Sequence, residues 1–261
     1  MILETIAAST RIRITHKKAA VPFEKVKKAA LNMKTTADYP WEEALRKRDI
    51  SFICEIKKAS PSQGVLAADF PYLQIAKEYE QAGAAALSVL TEPKYFLGRD
   101  EHLMQITDAV SLPVLRKDFI IDAYQIYEAK ILGASAVLLI CALLDTQTIR
   151  DYLSVCDELG LSALVEAHDE GEIEAALAAR ARVIGVNNRN LHDFTVDICN
   201  SIRLRKLVPE SVLFVAESGI KTADDVARLR QAKVNGLLIG ETLMRSPEKR
   251  AMLYRLRGKI E

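Results

Sequence analysis

The sequence SFICEIK at residues 51–57 holds the pattern that decides the fold of this 261-residue chain. Its apolar residues form a short, branched run that is typical of a strand buried on both faces. Glu55 and Lys57 stand at the end of that run, where a charge buried without a partner is costly. We therefore interpret these two charges as part of a pocket and not as packing material.

The same pattern recurs along most of the chain. Strand-like runs lie near residues 51–56, 85–90, 112–116, 135–140, 161–166, 182–186, 211–216 and 235–239. The segments between them have the spacing of amphipathic helices, and Gly83, Gly133 and Gly160 lie where helices would end before a strand. Eight strands that alternate with helices over about 210 residues predict an α/β fold, a single (β/α)8 TIM barrel. An open doubly wound sheet is the alternative, but the G-x-G-x-x-G turn that usually follows its first strand is missing.

The first fifty residues differ in composition from the rest. They are rich in Lys, Arg, Glu and Ala and have helical spacing, and Pro40 suits the first position of a further short helix. The segment is too short to hold a core of its own. We therefore expect residues 1–50 to be a helical extension packed on the barrel of residues 51–261, with one domain overall.

The bulk properties favour a cytoplasmic protein. A net charge of +1 argues against nucleic-acid or membrane-surface binding driven by bulk charge, and no apolar run reaches the roughly 18 residues that cross a bilayer. We expect the cysteines to be buried free thiols, which suits a reducing compartment: Cys54, Cys141, Cys156 and Cys199. The four histidines show no metal-ligand spacing, so we predict no metal and no organic cofactor, and we expect His168 on the surface.

Six polar residues stand at the ends of the strand-like runs: Glu55, Lys57, Lys117, Glu166, Asn187 and Ser218. The carboxyl ends of the strands are where barrels of this type carry their active sites. Residues i and i+2 of a strand share a face, so Glu55 and Lys57 both point inward. The pattern predicts one pocket that is assembled from several strand ends.

Two lysines would project into this pocket and need anionic partners. Lys57 and Lys117 can find them in Glu55 and Glu166 or in a ligand. A desolvated lysine near another cation has a lowered pKa and can donate a proton near neutral pH. Lys117 could instead be a surface residue of the following loop, and Glu166 is either a salt-bridge partner or a general acid or base.

Two glycine-containing segments at the last two strands indicate a phosphate site. The motif ESGI follows the seventh run, and GLLIGETLMRS carries the eighth. Backbone N–H groups beside glycines bind anions, and barrels commonly hold phosphate in the loops after strands seven and eight. Ser218, Gly219 and Gly240 are the candidates, unless the glycines only make tight turns. Arg189 suits a phosphate, and Asn187 suits a hydroxyl or a carboxylate.

Seven motifs together resemble indole-3-glycerol phosphate synthase of tryptophan biosynthesis. In chain order they are EIKKASPSQG, SVLTEPKYFLG, LPVLRKDFIID, ALVEAHDE, IGVNNRNL, VAESGI and IGETLMRS. The resemblance implies a (β/α)8 barrel whose N-terminal extension helps to cover the substrate. It also implies a carboxy-lyase that converts 1-(2-carboxyphenylamino)-1-deoxyribulose 5-phosphate into indole-3-glycerol phosphate, carbon dioxide and water.

The resemblance further implies roles for particular residues. The general acid falls on Lys117 and the general base or second acid on Glu166. The supporting polar residues fall on Glu55, Lys57 and Asn187. The phosphate contacts fall on Arg189, Ser218, Gly219 and Gly240. The ring contacts fall near Phe96, Phe119 and Leu138, and Ser60 and Pro61 match a flexible loop after the first strand. Ala59 and Glu241 depart from the family pattern, in which many relatives have lysine and some have serine.

Two other interpretations stay open. A sugar-phosphate aminoketose isomerase on the same type of barrel would usually involve Cys or Asp, whereas these strand ends offer two Lys and two Glu. A non-catalytic barrel that only binds a phosphorylated ligand would not depend on Lys117. The expected partner is in each case a small phosphorylated molecule, with no nucleic acid and no membrane, and we expect a monomer.

Overall fold

The computed structural model describes residues 2–35, 37–190 and 193–258. Its strands in chain order are β1 (Ser51–Ile56), β2 (Ala59–Ser60), β3 (Gly64–Val65), β4 (Ala86–Leu90), β5 (Val114–Lys117), β6 (Ala136–Ile140), β7 (Ser162–Ala167), β8 (Val183–Asn187), β9 (Leu213–Glu217) and β10 (Gly236–Ile239). Eight of them pair in parallel in the closed order β1-β10-β9-β8-β7-β6-β5-β4. The predicted (β/α)8 barrel is therefore confirmed, and the open doubly wound sheet is excluded. The short strands β2 and β3 form a separate antiparallel hairpin.

Helices precede the barrel and connect its strands. They are α1 (Ile2–Ala20), α2 (Phe23–Leu31), α3 (Pro40–Leu45), α4 (Tyr72–Gln81), α5 (Asp100–Ala109), α6 (Ala123–Ile131), α7 (Thr146–Leu159), α8 (Glu170–Ala178), α9 (Cys199–Arg205), α10 (Ala223–Gln231), α11 (Glu241–Arg245) and α12 (Lys249–Leu256). Gly83, Gly133 and Gly160 have positive φ just beyond α4, α6 and α7, as a left-handed helix end requires. No described helix combines the length and the apolar composition that spanning a bilayer requires.

Strand boundaries depart slightly from the sequence pattern. The run at 112–116 forms a strand only from Val114, because Pro113 has no N–H group for the ladder. The same strand then continues to Lys117, which places this lysine at the carboxyl edge of the barrel.

The barrel interior is apolar at its amino-terminal end. It is filled by inward-facing strand residues that include Ile53, Leu115, Leu164, Val215 and Leu238. Trp41 and Leu45 of α3 belong to the same cluster and close that end. A Cβ atom at Gly236 would lie 2.8 Å from Cδ2 of Leu45, so glycine admits the helix there. The carboxyl ends of the strands are therefore the open side of the barrel.

The N-terminal helices pack on the outside and over the mouth of the barrel. Phe23 of α2 meets the ring of Tyr127 of α6 edge-on at 5.6 Å between ring centroids. Arg13 of α1 reaches the carboxylate of Asp118, just after β5. The division of the chain into an extension of residues 1–50 and a barrel stays a prediction.

Candidate active site

A cavity of about 470 Å³ opens at the carboxyl ends of the barrel strands. All thirteen predicted site residues line it: Glu55, Lys57, Ser60, Phe96, Lys117, Phe119, Leu138, Glu166, Asn187, Arg189, Ser218, Gly219 and Gly240. They come from all eight barrel strands or the loops that follow them. The structure thus brings together every side chain that the strand-end pattern and the resemblance single out.

Lys117 lies at the centre of an ionic cluster. Its Nζ atom is 2.9 Å from Oε2 of Glu217, 3.8 Å from Oε2 of Glu166 and 3.9 Å from Oε2 of Glu55. Lys57 pairs with the other oxygen of Glu55. Lys117 is therefore an inward-facing residue of the cavity and not a surface residue of the following loop.

The predicted lowering of a lysine pKa is wrong for Lys117. Burial alone would lower the pKa of this ammonium group, but the carboxylates of Glu217, Glu166 and Glu55 outweigh burial and raise the pKa well above its ordinary value. The lowering was expected from the second cation, Lys57. That cation is neutralised by its own pair with Glu55.

Glu217 is the site residue that sequence reasoning missed. It ends β9 on the same face as Leu213 and Val215, so the rule that i and i+2 share a face would have found it. Burial raises the pKa of its carboxyl to about 7, against the attraction of Lys117 and with the help of Glu166. Its Oε1 atom is buried and has no hydrogen-bond partner among the described residues.

Two glycines make room for the buried carboxylates. A Cβ atom at Gly185 of β8 would overlap Oε1 of Glu217, and one at Gly240 would overlap Oε1 of Glu55. Gly240 therefore has a steric reason to be glycine besides the predicted phosphate contact. Burial opposes ionisation of Glu55, but Lys57 and Lys117 prevail and lower its pKa.

Glu166 has polar neighbours on both of its oxygens, with Lys117 nearest to Oε2. The Nδ2 atom of Asn187 donates to Oε1 over 3.4 Å, and Nε2 of His168 lies 3.5 Å from the same oxygen. The expectation of a surface position for His168 is wrong, because its side chain is only 18% exposed and faces Glu166. His192 lies outside the described residues. Among the described residues, including these, no group of histidine, cysteine and acidic side chains is arranged to hold a metal ion.

The predicted phosphate loops have unusual backbone conformations. Ser218 and Gly219 both have positive φ, at 68° and 80°, a conformation that is strained for a serine. Asn188 is buried, and its Nδ2 atom donates to the carbonyl of Ser218 over 3.2 Å. The next helix, α10, is capped by its own side chains Thr222 and Asp225. These caps use the N–H groups of Lys221, Thr222 and Asp225, and the predicted anion contacts at Ser218 and Gly219 lie in the loop before this helix.

Arg189 and Glu241 face each other at this end of the cavity. Nη2 of Arg189 lies 3.4 Å from Oε2 of Glu241, and Arg245 reaches the other oxygen at 3.2 Å. Arg245 also donates to Gln63, in the turn of the β2–β3 hairpin, over 2.9 Å. Glu241 thus links two arginines across the rim, whereas a serine there could not form these ion pairs.

The opposite side of the cavity is apolar. The rings of Phe96 and Phe119 lie 5.8 Å apart, and Leu138 lines the same cavity. Ile2 and Ile6 of α1 also line it, which the sequence did not reveal because nothing in α1 marks which face meets the barrel. The carboxylate of Glu92 accepts the N–H groups of three loop residues, among them that of Phe96 at 3.0 Å, and so holds the loop that carries this ring.

A closed parallel barrel with ionisable groups gathered at the carboxyl ends of its strands defines the class of (β/α)8-barrel enzymes. Among solved structures, 3-hexulose-6-phosphate synthase from Salmonella typhimurium has a TM-score of 0.66, with 80% of this chain and 97% of that chain covered. The two share 13% sequence identity, so this likeness supports the fold alone.

Sequence comparisons identify the family within that class. The family model described as indole-3-glycerol phosphate synthase matches residues 3–256. Proteins of that name from Ruminiclostridium cellulolyticum and Lachnoclostridium phytofermentans are 56% and 50% identical, with 99% and 100% of both chains covered. The chain belongs to the indole-3-glycerol phosphate synthase family. This membership favours neither the aminoketose isomerase nor the non-catalytic barrel that the sequence left open.

Proposed function

We propose that this chain catalyses the reaction of its family, in tryptophan biosynthesis. The substrate is 1-(2-carboxyphenylamino)-1-deoxyribulose 5-phosphate, and the products are indole-3-glycerol phosphate, carbon dioxide and water. The observation that carries the proposal is the cluster in which Nζ of Lys117 lies within 4 Å of Glu55, Glu166 and Glu217. This cluster lies between an apolar wall and the two predicted phosphate loops.

The cavity suits a ligand with one anionic and one aromatic end. A volume of about 470 Å³ lies within the range of small-molecule sites. The phosphate would contact Arg189, Ser218, Gly219 and Gly240, with Ser60 of the hairpin nearby, and the ring would lie against Phe96, Phe119 and Leu138. Holding both ends bends the flexible chain between them, so that the reacting carbons approach each other.

Lys117 has the role of general acid in the first step. The ring carbon that bears the carboxylate bonds to the carbonyl carbon of the sugar, and the carbonyl oxygen takes a proton. The raised pKa keeps Lys117 protonated in the free enzyme. It can still donate, because the alkoxide that develops on this oxygen is a stronger base than an amine.

Loss of carbon dioxide then restores the aromatic ring, because the electrons of the broken bond return to it. The final dehydration requires one group to take a proton and another to protonate the departing hydroxide. Glu166 is the candidate base, with Asn187 orienting it. Lys57 and Glu217 are the further candidates, and the pKa of Glu217 near 7 allows it to give or take a proton at neutral pH.

The test is the turnover of the Lys117→Ala variant against a matched surface control, Lys77→Ala, on the exposed side of α4. We expect Lys117→Ala to lose at least about a hundredfold in kcat, with product binding reduced far less and Lys77→Ala unchanged. If Lys117→Ala retained turnover within a few-fold of the wild type, the acid assignment would be wrong.

We further propose that the enzyme works in the cytoplasm as a monomer on this small phosphorylated substrate. The cysteines are free thiols, which suits a reducing compartment, although Cys199 is exposed and Cys141 half-buried, contrary to the expectation that all are buried. Light scattering at micromolar concentration tests the oligomeric state, and a stable dimer would contradict the proposal.

A further inference from the structure

His168 lies directly behind Glu166, on the side away from Lys117. It follows β7 by one residue, and its Nε2 atom is 3.5 Å from Oε1 of Glu166. Its Nδ1 atom is 3.0 Å from Oε2 of Glu172, at the start of α8. The same oxygen of Glu172 accepts the backbone N–H of His168 over 2.8 Å, and Asn200 of α9 donates to the carbonyl of His168. The imidazole is thus held from its backbone and from its ring.

Both ring nitrogens of His168 face carboxylate oxygens. A neutral imidazole has one N–H donor and one lone pair, so one of the two contacts would set a lone pair against a carboxylate oxygen. The imidazolium has two N–H groups and suits both Glu166 and Glu172. Burial alone would lower the pKa of His168, but Glu172 and Glu166 outweigh burial and raise the pKa above its ordinary value.

The charged side chains that act on His168 are acidic. Glu166 comes from β7, Glu172 from α8 and Glu217 from β9, and each of them raises the pKa of His168. The thiol of Cys141, after β6, contacts the carbonyl of Glu172, and burial raises its pKa to about 12, so it carries no charge. Among the described groups that the structure places against the ring, none is a cation that would lower the pKa of His168.

The inner cluster has an excess of carboxylates that a cation at this position would relieve. Glu55, Glu166 and Glu217 outnumber Lys57 and Lys117 within ion-pair distance. Lys117 pairs closely with Glu217, at 2.9 Å, and more distantly with Glu166, at 3.8 Å. Glu166 therefore depends on neighbours other than Lys117 for its orientation.

We propose that His168 is a positioning residue for Glu166, an imidazolium that Glu172 fixes and that holds the Oε1 end of the Glu166 carboxylate so that Oε2 faces the substrate side. The inference rests on the proposed function, since it assigns His168 a role only through the proton-transfer role of Glu166. Asn187 of β8 donates a hydrogen bond to the same oxygen. Nε2 of His168 forms no hydrogen bond among the described residues and acts on Glu166 as a charge at 3.5 Å.

The arrangement implies a pH dependence with a definite sign. A histidine whose pKa is raised on folding stabilises the fold fully below its ordinary pKa of about 6.5. That contribution is lost as the pH rises through the raised value. Deprotonation of His168 also removes its attraction for Glu166. We therefore expect kcat to fall on the basic side of its pH profile as the imidazolium of His168 loses its proton.

The first test needs no variant. The ring protons of His168 and of His16, which is exposed on α1, are followed by NMR from pH 5 to 9 in the substrate-free wild type. We expect His168 to titrate above the ordinary histidine pKa of about 6.5, and we expect the Glu172→Gln variant to lower the pKa of His168. Titration of His168 at or below about 6.5 would overturn the proposal.

The second test separates positioning from a merely structural role. We expect His168→Gln, which keeps a neutral donor near Glu166, to lower kcat about tenfold, less than the hundredfold or more that a direct acid or base contributes. We expect KM to change less than threefold and the basic limb of the kcat profile to shift, while His16→Asn leaves both unchanged. An unchanged kcat and profile in a folded His168→Gln variant would contradict the role.

A double-variant comparison distinguishes this inference from the proposed function. If His168 acts through Glu166, adding His168→Gln to Glu166→Gln lowers kcat no further, whereas independent roles would multiply. A further tenfold loss in the double variant would overturn the positioning role. A wild-type chain that failed to form indole-3-glycerol phosphate would instead overturn the proposed function. The NMR titration is measured without substrate, so its outcome does not depend on that result.

Discussion

Arg116 and Lys117 are consecutive residues of β5, yet they belong to ionic clusters of different kinds. Lys117 faces into the barrel, and Arg116 faces outward and is fully buried beneath the helices. Every nitrogen of Arg116 donates a hydrogen bond: Nε to Thr91, Nη1 to the carbonyl of Gln125, and Nη2 to Glu128 at 2.7 Å among others. No nitrogen of Arg116 is therefore without a hydrogen-bond partner.

The charges of the outer cluster also balance. Three basic and three acidic side chains meet there: Arg13, Lys17, Arg116, Asp100, Asp118 and Glu128. Both oxygens of Asp118 accept from Arg13, at 2.7 and 2.9 Å. The inner cluster has three carboxylates and two ammonium groups. The proposed imidazolium of His168 is shared with a further carboxylate, Glu172, so one negative charge stays unbalanced, and Oε1 of Glu217 has no hydrogen-bond partner within the described chain.

The difference indicates how a structural ion cluster can be told from a reactive one. Burying charge is tolerable when the charges balance and each charged group is paired, as around Arg116, even though Nε of Arg13 is buried without a hydrogen-bond partner among the described residues. Where the charges do not balance, the surplus appears as a displaced pKa, as in Glu217, and a ligand or a proton supplies what is missing. The same substitution should therefore have opposite effects in the two clusters.

The largest expected effect on stability comes from the outer cluster. Asp118→Asn removes the carboxylate that Arg13 and Arg116 share, and we expect the free energy of unfolding in urea at pH 8 to fall by about 3–5 kcal/mol. The neighbouring arginines lower the pKa of Asp118, so its contribution is complete at pH 8 and is lost as the pH falls through that lowered pKa. We expect Asp108→Asn, on the exposed side of α5, to change stability by less than about 0.5 kcal/mol. An equally small effect at Asp118 would remove the distinction between the clusters.

The matched substitution in the inner cluster should have the opposite sign. Glu217→Gln removes a surplus carboxylate, and we expect the unfolding free energy at pH 8 to rise by about 1–3 kcal/mol, while kcat falls at least about a hundredfold. Because the folded-state pKa of Glu217 is raised, its ionisation destabilises the fold as the pH rises from about 4.5 to about 7. The gain in stability should accordingly vanish near pH 4. A destabilised Glu217→Gln variant at pH 8 would contradict this account.

A substitution that crowds the inner cluster provides a steric test with a smaller expected effect. Gly185→Ala places a methyl group against Oε1 of Glu217 and 2.9 Å from Cδ1 of Leu164. We expect a loss of about 1–3 kcal/mol in unfolding free energy and a fall in kcat. Gly171→Ala is the control, because a Cβ atom in that α8 position meets only Asp169 at 3.5 Å, and we expect it to stabilise by about 0.4–1 kcal/mol.

The smallest effect concerns the link between the outer cluster and the cavity. Arg13→Ala cuts the bidentate pair with Asp118 and loosens α1, whose residues Ile2 and Ile6 line the cavity. We expect KM to rise about threefold to tenfold with kcat little changed, since a positioning loss of 0.7–1.4 kcal/mol corresponds to about that ratio. Arg11→Ala, at an exposed position of the same helix, should leave KM unchanged. A fall in kcat with constant KM would show that Arg13 acts on Lys117 instead.

The sequence predicts the barrel and the residues of its mouth because both follow from local rules. Buried parallel strands have continuous apolar sequences, and a charge at the end of such a strand must be paired or reach a pocket, because burying it unpaired is costly. The strand ends thus revealed Lys117 and Glu166 before any geometry was known. Glu217 is the last residue of its run and Ser218 the first residue after it, and the alternation of side chains along β9 turns Glu217 inward.

The electrostatics could not be predicted in the same way. Which pKa rises depends on distances between residues far apart in the chain, such as Lys117 and Glu217. The outer cluster was likewise hidden, because Arg116 ends the same run as Lys117 and its acidic partners come from two different helices and a loop. The burial of His168 depends on Glu172 and Asn200, which meet it only in the folded chain.

The titration of Glu217 tests directly whether the charges of the inner cluster are unbalanced. The glutamate carboxyl carbons, labelled with ¹³C, are followed by NMR from pH 4 to 9 in the wild type, and Glu217→Gln identifies the resonance. The account predicts that the Glu217 carboxyl titrates near pH 7. A Glu217 carboxyl that titrates in the ordinary range of glutamate, near 4.3, would mean that the inner cluster is as fully balanced as the outer one, and would contradict the account.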